Sequence, residues 1–166
     1  NLTSFTFTDL VNFLDGKKPP TPVPSPAAGA AQPPTPPDVG DAITKADWLV
    51  FSMLDIKSNV PSSSALVRML FERPDLLKGR RVIVFAFDAP YYLDTTSVAQ
   101  LTAYYALYSK TPTSIDVAAR VLFQEITPTG FSPVSVSAVG YHLIEATQPD
   151  PKQVIKLFTD VIQPEG

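Results

Sequence analysis

The sequence predicts an α/β fold built on a mainly parallel sheet, and three observations predict it. The first is Val82-Ile83-Val84-Phe85-Ala86-Phe87, entered from the basic turn Lys78-Gly79-Arg80-Arg81 and left through Asp88-Ala89-Pro90. An apolar run that short, bounded by turn residues and rich in Val, Ile and Phe, reads as a strand buried on both faces. Such strands belong to parallel sheets covered by helices. The second observation is Trp48 to Leu54, another near-continuous apolar run. The third is that helical periods alternate with these runs, which is βα repetition and implies right-handed crossovers.

The elements follow in order. Ser4 to Phe7 is a short strand candidate, after which Thr8 caps a brief helix. Leu10, Phe13 and Leu14 share a face of that helix, and Gly16 ends it. Val39 to Ala46 is weakly helical, and the strand Trp48 to Leu54 comes next. Ser62 to Ser64 offer caps for a helix whose Ala65, Leu66, Met69 and Leu70 share one face and which stops at Pro74. Strand 82–87 follows. Leu101, Tyr104, Tyr105 and Tyr108 fall at helical spacing, yet Thr102 to Tyr108 equally suits a tyrosine-rich strand, and periodicity leaves both open. Thr111-Pro112 then reads as an N-cap with proline at the first helical position. The helix behind it is expected to bury Ile115, Ala118, Ala119 and Leu122.

At 166 residues the chain reads as one domain, with segment 138–166 as a C-terminal extension. The segment 17–40 breaks the composition: it holds half of the 18 prolines and no aromatic residue. Too little apolar surface is present to offset ordering, so it reads as a flexible, polyproline-like insertion. A proline-motif ligand for another domain is the weaker reading, because only Lys17 and Lys18 accompany it.

Composition also excludes function classes. Net charge is -3, and no basic cluster exceeds Lys78 to Arg81, so the dense positive footprint of nucleic-acid binding is absent. With no cysteine there is no disulfide, thiolate nucleophile or cysteine metal site. No apolar run approaches the roughly 18 residues of a membrane helix. His142 is the only histidine, so neither a histidine metal pair nor a relay is available, and no metal is expected. None of the seven glycines follows a predicted strand, which argues against a nucleotide phosphate cradle; no cofactor is expected.

Ligands on parallel sheets gather outside the C-terminal ends of the strands. The candidate rim is therefore Asp55, Asp88, Pro90, Tyr91, Tyr92 and Ser109. If their strands are neighbours, Asp55 and Asp88 come close enough to split their pKa values as an acid/base pair. Against that stands a plain turn role, with Asp88 forming an Asx-turn before Ala89-Pro90. A phospho-acceptor role for Asp55 is weaker still, since no acidic pair follows a first strand. Tyr91, Tyr92, Tyr104, Tyr105 and Tyr108 either stack on sugar rings or pack a core and an interdomain face.

One succession of motifs carries a family resemblance. It runs from Ala46-Asp47-Trp48 through Glu72-Arg73-Pro74-Asp75-Leu76-Leu77, the apolar strand to Phe87, Ala89-Pro90-Tyr91-Tyr92-Leu93 and Leu101-Thr102-Ala103-Tyr104-Tyr105. It continues through Tyr108-Ser109-Lys110-Thr111-Pro112 and Ala118-Ala119-Arg120-Val121-Leu122-Phe123-Gln124-Glu125 to Pro133-Val134-Ser135-Val136. Over about residues 42–137 this resembles the C-terminal α/β sandwich domain of glycoside hydrolase family 3, with bacterial β-N-acetylhexosaminidase-like and β-glucosidase-like members nearest in pattern. The long proline insertion and Phe131-Ser132 after Gly130 depart from that pattern.

The resemblance implies a three-layer, flavodoxin-like sandwich that is incomplete at its N-terminus, with 101–107 as a strand after a short helix. It also implies a bacterial protein acting outside the cytoplasm or at the cell envelope. In the family the nucleophilic aspartate sits on a preceding (β/α)8 barrel, which these residues do not contain. Retaining hydrolysis needs two carboxyl groups about 5 Å apart across the scissile bond. No glutamate here stands in a family acid/base context, and Glu125 matches a structural helix end, so no catalytic residue carries over. The implied partner is an upstream barrel of the same polypeptide, with carbohydrate bound through it. The alternative is a free-standing flavodoxin-like binding or scaffolding module without hydrolase activity.

Overall fold

The computed structural model describes residues 2–17, 38–55, 57 and 59–132. Most of segment 17–40, and all of 138–166 with His142, lie outside the described residues. The chain divides into two units, Asn1–Ile126 and Thr127–Gly166, and the first carries every described helix and strand.

Helix α1 is Phe7–Leu14. The strand expected at Ser4 to Phe7 does not form, and the cap is Thr6 rather than Thr8. Thr6 and Asp9 make a reciprocal capping box, in which the Asp9 amide donates to Thr6 Oγ1 at 3.2 Å and the Thr6 amide to Asp9 Oδ2 at 2.9 Å. Two terminal amides are thereby satisfied locally, which outweighs the β propensity of a short Phe-Thr-Phe run. Gly16 ends the helix with φ +68°, as glycine does most cheaply.

Helix α2, Val39–Lys45, is capped by Asp38 and leads into strand β1, Trp48–Met53. A 3-10 turn over Pro61–Ser64 runs into helix α3, Ala65–Glu72, so the serines lead the helix without a side-chain cap bond. The expected face of α3 is the one buried: Ala65, Leu66, Met69 and Leu70. Strand β2, Arg81–Ala86, is followed by a short helix α4, Thr95–Val98, and strand β3, Ala103–Ala106. The tyrosine-rich segment is thus a strand after a short helix. Helix α5, Pro112–Leu122, begins with Thr111 as N-cap and proline in its first turn.

The sheet is parallel throughout, in the order β1-β2-β3. Trp48 pairs with Arg81 and Met53 with Ala86; Ile83 pairs with Ala103 and Ala86 with Ala106. Alternation sends Leu49, Met53, Val82 and Val84 into one cluster with Leu10, Ile43, Leu66 and Met69 from α1, α2 and α3. Ile83, Phe85 and Phe87 point the other way and meet Ala118 of α5, with Val121 and Leu122 beside it.

That second face corrects one expectation. Ala118 is the one buried residue of α5, whereas Ile115 and Ala119 are exposed and Leu122 is half-buried. One helix is about 10 Å across and strands are about 4.8 Å apart, so α5 covers two strands and cannot bury its whole apolar stripe.

Candidate functional site

Because all three strands run parallel, their exits share one edge. The register that pairs Met53 with Ala86 places Asp55 level with Asp88 when continued by two residues. The same register brings β3 out through Leu107, Tyr108 and Ser109 to Lys110. The Lys110 ammonium donates to Asp55 Oδ1 and lies 3.6 Å from Asp88 Oδ2. Both strand-end aspartates therefore converge, and what they converge on is a lysine.

The electrostatics follow from that contact. The hydrogen bond from Lys110 holds the Asp55 carboxyl below the ordinary aspartate value, against the modest opposing effect of desolvation. The Lys110 ammonium is in turn held above the ordinary lysine value, first by Asp55 and then by Asp88. All three side chains of the trio are open to solvent.

Tyr108 adopts φ +54°, a left-handed conformation rare for a bulky side chain. Its hydroxyl lies 3.3 Å from that of Tyr91, with the rings tilted and their centroids 6.4 Å apart. Tyr91 thus stays at the rim, half-buried. Tyr92 turns inward against the large cluster, edge-on to Tyr104 at 6.4 Å. Among the described residues the Tyr92 hydroxyl is buried without a partner at hydrogen-bond distance, and burial pushes it up to about 12, against a smaller lowering by the Tyr104 hydroxyl. Pro90 is buried, and its carbonyl accepts from the Tyr104 hydroxyl at 2.6 Å, which anchors the β2 exit to β3. Ser109 donates to Thr111 Oγ1 at 3.3 Å and so belongs to the cap of α5.

Of the six sequence-predicted residues, Asp55, Asp88 and Tyr91 line the edge. Pro90 and Tyr92 support it from below, and Ser109 serves the adjoining helix start. Lys110 was missed. The available signal was its position, as the basic residue between the end of the tyrosine strand and a Thr-Pro helix start.

An open cleft of about 290 Å³ adjoins the edge, lined by Phe7, Ser52, Leu54, Asp55, Lys57 and Ser63 among others. A second, of about 280 Å³, lies beyond the same loop and reaches Ser64, Val67 and Tyr92. Asp88 lines neither. Among the described residues no group of three or more His, Cys, Asp or Glu side chains could hold a metal. No described helix is long and apolar enough to cross a membrane.

No family model, no curated protein and no solved structure matches this chain.

Proposed function

We propose that the chain is a non-catalytic C-terminal α/β domain of a family 3 glycoside hydrolase. In this reading it packs on a (β/α)8 barrel of the same polypeptide and shapes one wall of the sugar site. Its full architecture is then a three-layer sandwich, of which the parallel β1-β2-β3 sheet and its helices are the described part. The observation that supports the reading best is the Asp55–Lys110–Asp88 trio. Acid/base catalysis needs a carboxyl group kept neutral or a free carboxylate base near the substrate. Two strand-end aspartates tied to one lysine suit positioning and docking better than proton transfer. The tyrosines support it too: Tyr91 and Tyr108 present ring area with hydroxyls at the edge, a combination suited to sugar and to interdomain contact.

Two measurements test this. The chain by itself is expected not to hydrolyse aryl β-glycosides of glucose or N-acetylglucosamine. Turnover that survives purification and vanishes in Asp88→Asn would overturn the division of labour. In the parent polypeptide, Tyr91→Ala is expected to weaken sugar binding or domain docking without unfolding the sheet. Unchanged KM and unchanged docking in that variant would favour the alternative, a binding or scaffolding module that owes nothing to a barrel.

A further inference from the structure

We propose that β1 is a pairing edge for a second copy of this chain, which joins it antiparallel about a twofold axis at Val50. This goes beyond the reading above and uses a different surface, the outer side of the sheet rather than the strand ends.

Among the described residues β1 is an edge strand, bonded only to β2. The Arg81 amide donates to the Asp47 carbonyl at 2.9 Å and the Phe87 amide to the Met53 carbonyl at 2.9 Å. Odd-numbered residues of β1 therefore turn their main-chain groups to β2, and Trp48, Val50 and Ser52 turn theirs outward. The side chains of these even-numbered residues lie on the sheet face that α5 leaves bare beside β2. Trp48 is 46% exposed, Val50 44% and Leu54 52%.

Natural edge strands are blunted by lysine, proline, a bulge or an inward charge. Trp48-Leu49-Val50-Phe51-Ser52-Met53 has none of these, and it pairs with β2 without a bulge over its whole length. An uncharged strand of high β propensity with three outward amides is built to be paired.

The self-pairing register is set by the strand itself. Centred on Val50, it faces Val50 with Val50 of the second copy, and Trp48 with the second copy's Ser52. All three even-numbered positions become hydrogen-bonded pairs, each exchanging two bonds. The largest side chain on the face then meets the smallest. Arg81 of β2 sits over the Trp48 ring at 4.8 Å, a cation–π contact that restrains the indole. Sliding the partner by two residues in one direction faces Trp48 with Leu54 and brings Asp47 opposite Asp55, a like-charge pair. Sliding it the other way gives up a hydrogen-bonded pair within the strand. The Val50-centred register avoids both.

Sedimentation equilibrium on the full 166-residue chain over a wide concentration range tests the proposal. The expected result is a reversible rise to twice the 18.0 kDa chain mass. Val50→Pro removes an outward N–H that bonds nothing among the described residues, so it is expected to hold the mass at 18.0 kDa with an unchanged circular dichroism spectrum. Val50→Lys, a natural edge-blunting change, is expected to do the same should proline disturb the strand. In the unaltered chain, the Trp48, Val50 and Ser52 amides are expected to exchange at least tenfold more slowly at high concentration than at low. A chain that stays at its single mass overturns the proposal and leaves another polypeptide segment as occupant of the edge. A dimer that persists in both variants, or forms without slowing those three amides, overturns it as well.

Discussion

Lys110 bonds to Asp55 across the top of β2, although their strands β3 and β1 are not neighbours in the sheet. One lysine thus ties the first strand end to the last, with Asp88 of the middle strand 3.6 Å from the same ammonium. Removing it leaves two carboxylates at adjacent strand ends with no intervening cation.

The first prediction follows from that loss. In Lys110→Met the Asp55 carboxyl should titrate at a higher pH than in the unaltered protein, because its main stabilising partner is gone. Carboxyl titration followed by NMR reads this directly. An Asp55 midpoint unmoved by the substitution would show that the ion pair does not persist in solution. Overall stability should fall only slightly, since exposed ion pairs contribute little.

The pH dependence of stability has a definite sign. Asp55 has a folded pKa below its unfolded one, so its contribution is complete above about pH 4 and lost as pH falls through the folded value. Asp15 and Glu72, both held down chiefly by Arg68, act in the same direction. Lys110 is shifted upward, so its contribution is complete below about pH 10 and lost as pH rises through its folded value. Melting temperature should be flat between these limits and decline on acidification below the lower one. Stability that rises below pH 4 would contradict the pairing.

Tyr92 carries a separate alkaline dependence. Its hydroxyl is buried with no partner at hydrogen-bond distance among the described residues, and burial pushes its pKa up to about 12. Between about pH 10 and that value the unfolded chain ionises while the folded one does not, so stability drops as pH rises. Tyr92→Phe should remove this drop. It should also leave the protein as stable at pH 7 or up to about 1 kcal/mol more stable, since an unsatisfied polar atom is replaced by an apolar one of the same shape. Urea unfolding at pH 7 and pH 11 measures both; a loss above 1 kcal/mol at pH 7 would mean the hydroxyl is bonded after all.

What could be read from the sequence was what depends on local pattern. The apolar runs at 48–54 and 82–87, the α3 face at Ala65, Leu66, Met69 and Leu70, and the Thr111-Pro112 helix start all rest on period and capping, which are local. Two things were not local. The face of α5 depends on how many strands one helix can cover, so Ile115 and Ala119 read as core and are exposed. The strand-end site depends on which exit loops converge in space. Asp55 and Asp88 were visible as aspartates ending apolar runs, but the lysine that joins them is 55 residues from one and stood only as part of the motif Tyr108-Ser109-Lys110-Thr111-Pro112. The N-terminal strand failed for a third reason: the Thr6–Asp9 capping box is a stronger local signal than the β propensity that was weighed there.

Arg80 gives the last prediction, and it concerns a role that no pattern reveals. Its guanidinium donates from Nε to the Ile43 carbonyl at 2.8 Å, from Nη2 to the Thr44 carbonyl at 2.6 Å and from Nη1 to the Leu76 carbonyl at 2.9 Å. Ile43 and Thr44 lie in the last turn of α2, where the Ile43 carbonyl also accepts from the Ala46 amide at 3.2 Å. The same side chain therefore closes α2, holds the turn after α3 and fixes the entry to β2. Arg80→Ala should cost about 2–3 kcal/mol, since several charge-assisted bonds are lost at once. Arg80→Lys should recover less than half of that, because an ammonium cannot reproduce the planar fork that reaches three carbonyls from two elements. Chemical denaturation of the two variants beside the unaltered chain checks it. Full rescue by lysine would show that charge alone, rather than the fork, holds α2 against the start of the strand.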